Sequence, residues 1–160
     1  MPLLLKNQKD LSILQYNINK SYYNTNLLLN SGKIQQFDIL AIQEPWINPR
    51  DLDISTYASN SLFLPLFNSP IGLVTFYIHS RIRLEKFTFY YLNKRLGILT
   101  LFINNTKVNI INIYLSATSI KEPLRGKIIK ENFTLLKEFL EKEKLSNNIL
   151  LGDFNLRNRI

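Results

Sequence analysis

Four oxygen-bearing side chains stand where apolar runs of this sequence end: Asn17, Glu44, and the pair Asp153 and Asn155. Hard oxygen donors of this kind suit Mg2+ or Mn2+ rather than zinc. In layered α/β proteins such strand tips gather active sites, because the scaffold is rigid and the loops that follow are free to vary. Asp153 and Asn155 are two apart, so at a strand end both would face one side, with Phe154 turned to the other. Each residue also has a plainer reading. Glu44 precedes Pro45 and could simply cap a loop, and Gly152-Asp153-Phe154-Asn155 could be a turn whose side chains bond the backbone.

The elements that must position these residues follow from the pattern of apolar positions. Leu11, Ile13, Tyr16 and Ile18 alternate well enough for a first strand over 11–18. Residues 19–36 read as helical in part, against the resistance of Asn24, Asn26, Asn30 and Ser31-Gly32. Phe37 to Gln43 is a short apolar run of the kind that a strand buried on both faces carries, and Pro45 places Glu44 at its tip. Residues 45–70, with four prolines, read as a long loop. Strand-like runs follow over 71–78, 84–91, 97–103 and 107–115, close enough for an antiparallel meander, with Asn104-Asn105 as a hairpin turn. Pro123 to Lys144 reads as the best helix, with Ile129, Phe133, Leu136 and Leu140 as its apolar stripe and Glu138–Lys142 as an i,i+4 pair. Ile149 to Gly152 then reads as a final buried strand. Strands mixed with crossover helices make an α/β layered architecture.

Composition narrows the class. The chain has 160 residues, 46% hydrophobic and 20% charged, which is enough for one domain with a real core. It has no cysteine, so disulfides and thiolate metal sites are excluded. The opening Met1-Pro2-Leu3-Leu4-Leu5-Lys6 is too short an apolar run for a signal-peptide core, and no later run approaches a membrane span. The reading is a soluble intracellular protein with no membrane partner. A net charge of +8, from 20 Lys+Arg against 12 Asp+Glu, favours a polyanionic partner, nucleic acid first, although simple solubility explains it equally well.

The motifs in order carry a family resemblance. Gln43-Glu44-Pro45-Trp46, preceded by Asp38-Ile39-Leu40-Ala41-Ile42, resembles the D-I-L-x-x-Q-E element of the endonuclease/exonuclease/phosphatase superfamily, and its Pro-Trp resembles the branch carried by non-LTR retrotransposons. Leu14-Gln15-Tyr16-Asn17-Ile18-Asn19-Lys20-Ser21 is similar to that branch's first strand. Asn112-Ile113-Tyr114-Leu115 resembles the strand that delivers an active-site tyrosine, and Gly152-Asp153-Phe154-Asn155 matches the G-D-F-N element. The resemblance implies two mixed sheets flanked by helices, a four-layer α/β sandwich. It implies that Glu44 binds Mg2+ or Mn2+, with Asn17 as a further ligand or a partner beside it. Asp153 would orient or activate the attacking water, Asn155 would help hold the phosphate, and Tyr114 would contact the scissile phosphate.

The same resemblance sets a limit. The superfamily completes its site with a further Asp and then an Asp-His pair past Gly-Asp-Phe-Asn, whereas five residues follow Asn155 here. Retrotransposon-branch relatives carry histidine soon after this element, where this sequence has Arg157, Asn158 and Arg159. His79, the single histidine, lies inside a predicted strand and reads as structural or surface. The expectation is an N-terminal tail over 1–10 and a truncated domain over 11–157, an incomplete sandwich whose missing strands would leave sheet edges open. The implied function is a metal-dependent DNA endonuclease, inactive as this fragment for want of the Asp-His segment and nuclear in its place of action. Its implied partners are DNA and a reverse transcriptase and RNA of the same element. A non-catalytic nucleic-acid-binding remnant is the alternative, and a superfamily phosphatase a more distant one.

Overall fold

Hydrophobic alternation and turn chemistry resolve into two four-stranded sheets, each covered by a helix on its outer face. The computed structural model describes residues 10–50, 52, 54, 62–67, 72–115 and 121–155. The elements are β1 (Ile13–Asn17), α1 (Tyr22–Leu29), β2 (Ile39–Gln43), β3 (Phe63–Leu66), β4 (Val74–His79), β5 (Phe87–Asn93), β6 (Leu96–Ile103), β7 (Thr106–Tyr114), α2 (Leu124–Lys142) and β8 (Asn147–Asp153). The first sheet runs β1-β2-β4-β3 and the second β5-β6-β7-β8. β1 and β2 are parallel, as are β7 and β8, and the other pairings are antiparallel.

Three apolar clusters make four layers of these elements. Ile39, Ala41, Phe76 and Ile78 of the first sheet meet Leu99, Leu101 and Ile110 of the second between the sheets. On the first sheet's outer face, Leu40, Ile42 and Tyr77 pack against Leu29 of α1 and Ile34 of the 3-10 turn Gly32–Gln36. On the second sheet's outer face, Ile98, Ile111 and Ile113 pack against Leu136 and Phe139 of α2. The result is the expected α/β sandwich of two mixed sheets flanked by helices.

A polar thread ties the two sheets together through this apolar interior. Gln15 Nε2 donates to Gln43 Oε1 at 2.6 Å, and Gln43 Nε2 donates in turn to Asn112 Oδ1. The Asn112 amide nitrogen donates to the Ile42 and Thr75 carbonyls, each at 3.0 Å. Gln43 and Asn112 are both fully buried. A buried network of this kind is favourable only while every member is satisfied. Asn112→Ala takes the short bond from the Gln43 amide and leaves it only the Ala41 carbonyl at 3.5 Å, so it is expected to cost roughly 3 kcal/mol, from a poorly satisfied buried donor plus lost packing. Gln15→Ala, at the exposed end of the thread, should cost under about 1 kcal/mol. Urea titration of the two variants checks the difference.

Several sequence expectations are corrected. The segment 45–70 contains β3, which pairs with β4 through Pro65 opposite Tyr77. Proline is tolerated there because β3 is the edge strand of its sheet. The meander holds for β5, β6 and β7, but β4 belongs to the other sheet, where it is buried on both faces against β2. The Asn104-Asn105 hairpin is present, with both residues in the left-handed region at φ 48 and 62. Ile149 and Leu150 are 38% and 42% exposed, so β8 is not a buried strand. It pairs with β7 alone among the described residues. The helix stripe is also shifted. Asn132, Leu136 and Phe139 are the buried residues of α2, while Phe133 is 39% exposed. The i,i+4 ion pairs on α2 are Lys127–Glu131 and Lys137–Glu141 rather than Glu138–Lys142. Residues 1–9 of the expected tail, Ile71 of an expected strand and Arg157, Asn158 and Arg159 lie outside the described residues.

Candidate active site

Parallel pairing is what brings the candidate residues to one edge. Asn17 ends β1 opposite Gln43, the last residue of β2, so Glu44 emerges beside it. Tyr114 ends β7 opposite Asp153, the last residue of β8. The two sheets stack with these ends together, and Asn17 closes the gap between them. Its Nδ2 donates to Glu44 Oε1 at 3.1 Å and to Asp153 Oδ2 at 2.8 Å. Its Oδ1 accepts the Asn19 backbone N–H at 2.8 Å, which fixes the amide so that its donors face the acids. The bond to Asp153 joins residues 136 apart in the chain.

Glu44 is held in place by its backbone. Its φ is 47°, a left-handed conformation that a non-glycine residue rarely adopts. Its N–H donates to the Leu73 carbonyl and its own carbonyl accepts from the Lys20 N–H, both at 2.8 Å. Backbone strain of this sort is kept where surrounding structure over-determines it, and it clusters at functional sites. Burial and the nearby Glu44 and Asp153 side chains push the Tyr114 phenol up to about 12, with Arg95 acting in the opposite direction. At neutral pH the tyrosine is therefore protonated.

Asn155 departs from the strand alternation expected for it. β8 ends at Asp153, and Asn155 has a φ of 46°. Its N–H donates to Asp153 Oδ1 at 3.1 Å and its Nδ2 to the Leu115 carbonyl at 3.0 Å. The turn reading of this motif is thus correct in geometry, and the turn orients the Asp153 carboxylate at the same time. His79 lies at the far end of β4, whose other end, Val74, stands opposite Gln43. It is about 17 Å along the strand from that edge at the usual rise per residue. Its Nδ1 accepts the Arg81 N–H and its ring packs edge-on to Phe63. Burial and the Arg81 charge hold its pKa below the usual value.

Two carboxylates that share one amide group stand within about 6 Å of each other, a range in which like charges repel. They form a hard oxygen donor pair that fits Mg2+ or Mn2+, since Mg2+ is commonly held by one or two carboxylates and keeps several waters. Among the described residues there is no group of three or more His, Cys, Asp or Glu side chains placed to hold a metal. A site here would be of the open, water-rich kind. Trp46, two residues past Glu44, packs against Tyr22 edge to face with ring centroids 4.8 Å apart.

Two arginines at this edge escape sequence reasoning. Arg95 is 7% exposed, with its guanidinium carbon 5.6 Å from the Tyr114 ring centroid. Arg125, in the first turn of α2, donates through Nη2 to the Asn155 carbonyl at 2.7 Å. In the sequence both look like solvated charges, one in an Asn-Lys-Arg turn and the other at a helix start. Nothing local marks either as buried.

No family model matches the sequence, and no curated protein matches it. Solved structures do match. An AP endonuclease, LMAP, from Leishmania major is 13% identical with a TM-score of 0.68, the match covering 93% of this chain and 56% of that one. The endonuclease domain of TRAS1, a telomere-specific non-LTR retrotransposon, is 12% identical with a TM-score of 0.64, covering 93% and 61%. TDP2 from D. rerio, complexed with a single-strand DNA product, is 18% identical with a TM-score of 0.60, covering 92% and 62%. The chain thus spans roughly three-fifths of the length of the structures it matches.

Proposed function

On the fold of the endonuclease/exonuclease/phosphatase superfamily, which this chain shares, we propose that Glu44 and Asp153 form part of a divalent-metal site for phosphodiester cleavage in DNA. The observation that carries the reading is the Asn17 amide, which bridges these two carboxylates across the sheets. Two acids held this close call for a cation, and Mg2+ or Mn2+ at this edge would polarise a phosphoryl oxygen and stabilise the leaving oxygen. Asn17 sets the spacing of the acids through its donors, which favours the partner role over direct ligation. Asp153, steadied by the Asn155 N–H, would orient an attacking water. Tyr114 stays protonated and would offer a donor to a phosphate oxygen. Asn155 helps hold the phosphate side of the site.

DNA is the proposed substrate, and the retrotransposon type is the proposed source. The first rests on the net charge of +8 and on the DNA-processing proteins that share the fold. The second rests on Pro45-Trp46, on the first-strand motif around Asn17 and on the likeness to the TRAS1 domain. Reverse transcriptase and RNA of the same element would then be partners, and the nucleus the place of action. Among the described residues no histidine reaches the carboxylates, because His79 sits at the other end of β4. Residues 1–160 by themselves are therefore expected to bind DNA without cutting it.

A supercoiled-plasmid nicking assay in Mg2+, with EDTA and Glu44→Ala controls and a parallel gel-shift measurement, tests this. Binding with no nicking above the controls is the expected result. Nicking that requires both Mg2+ and Glu44 would show that the site is complete without a histidine. Absence of DNA binding would sink the proposed substrate.

A further inference from the structure

Two buried side-chain polar atoms among the described residues have no hydrogen-bond partner, Arg95 Nη1 and Arg125 Nε. Both belong to arginines at the candidate site. A buried, unpaired donor on a charged group is costly, so its place in the fold calls for a physical reason. Arg95 offers one. Its guanidinium lies over the face of the Tyr114 ring, and the Glu44 charge acts on both groups. A cation over an aromatic face is electrostatically favourable, and more so when water is excluded.

The backbone around Arg95 locks it to the site. Its carbonyl accepts the Tyr114 N–H at 2.9 Å, and the Lys94 carbonyl accepts the Leu73 N–H at 2.6 Å. The Leu73 carbonyl in turn accepts the Glu44 N–H at 2.8 Å. The Arg95 N–H donates to Asn93 Oδ1 at 2.7 Å, and the Asn93 amide donates to Asn132 of α2 at 3.1 Å. The turn that carries the guanidinium is thus bonded directly to the Tyr114 backbone and, through Leu73, to that of Glu44. Its charge stands at a fixed place relative to the acids.

We propose that Arg95 is a positioning residue that sets the charge balance of the Glu44–Asp153 pair, a buried counter-charge that loosens their hold on a divalent cation and keeps the site receptive to a phosphate anion. The proposal rests on the metal-site reading above. A purely structural Arg95 and a charge-balancing one predict opposite signs for the same measurement. If Arg95 merely supports the site, removing it loosens the acids and weakens cation binding. If it balances charge, removing it takes away a repulsion and strengthens cation binding.

The test uses the full chain and Mn2+ alone, with free Mn2+ followed by electron paramagnetic resonance. A gel shift with duplex DNA at saturating Mn2+ supplies the anion side. Arg95→Gln is expected to bind Mn2+ about fivefold more tightly than the wild type, the scale of one partly screened unit charge. Its DNA affinity should fall. Arg95→Lys keeps the charge and should stay within about twofold of the wild type for Mn2+. If Arg95→Gln does not fold, the lysine variant decides alone: wild-type Mn2+ affinity supports the proposal and a marked loss overturns it. Unchanged or weaker Mn2+ binding by a folded Arg95→Gln overturns it as well. No Mn2+ binding by the wild type would overturn the metal-site reading and the proposal together. Binding that Glu44→Gln abolishes and Arg95→Gln leaves unchanged overturns the proposal alone.

Discussion

Glu44→Gln is expected to lower Mn2+ affinity by roughly a hundredfold, as loss of a charged ligand from a site with few protein donors. The substitution keeps the shape of the side chain and an oxygen that can still accept from Asn17, so the change is chiefly one of charge. Asp153→Asn should act alike from the other sheet. Asn17→Ala should cost less, about tenfold, because the acids remain but lose the amide that spaces them. The melting temperature of Glu44→Gln without metal should be unchanged or raised, since one of two close like charges is gone. Titration of free Mn2+ beside a thermal melt separates binding from folding. An unchanged affinity in Glu44→Gln would place the cation elsewhere.

Gly152→Ala should unfold most of the chain. Gly152 has a φ of +146°, and a Cβ there would lie 1.9 Å from the Ile113 carbonyl oxygen and 2.8 Å from its carbonyl carbon. The obstacle is backbone, so no rotamer relieves it. β8 would have to part from β7 at the pair Ile113–Gly152, next to the pair Tyr114–Asp153 that builds the site. A loss above about 4 kcal/mol is expected, a large share of the 5–15 kcal/mol that holds an ordinary domain together. Gly32→Ala is the control, because a Cβ at Gly32 meets nothing within 4 Å. Urea denaturation followed by circular dichroism measures both. A Gly152→Ala chain as stable as the wild type would mean that β8 pairs with β7 differently.

Much of this is legible in the sequence, and for a physical reason. Short apolar runs ending in Asn17, Glu44 and Asp153 are strand signals, and parallel pairing then leaves these residues at one edge. The Asn104-Asn105 turn was equally legible, because two left-handed residues in a tight hairpin favour asparagine. β3 was hidden by Pro65, which argues against a strand unless the strand is known to be at an edge. In α2, a polar Asn132 is buried while Phe133 is half exposed, because Asn132 answers Asn93 across the interface. Hydrophobic periodicity has no means of seeing such a partner.

The polar interior was the least legible part. Gln43 and Asn112 were visible as members of motifs, yet their bonds to each other cross between sheets. Asn155 reads as a strand residue in the sequence, whereas it lies in a turn with its side chain on the Leu115 carbonyl. Arg95 sits under Tyr114 because β6 and β7 pair in the register that places it there. Charge on a side chain in a turn normally means solvent, and only the assembled sheets reverse that reading.

The most direct test of the central claim is anomalous diffraction from crystals of the chain soaked in Mn2+. A manganese peak between the Glu44 and Asp153 carboxylates, lost in Asp153→Asn crystals, is the predicted result. No peak at this edge, or one at carboxylates elsewhere while Asn17 still bridges the pair, would contradict the account.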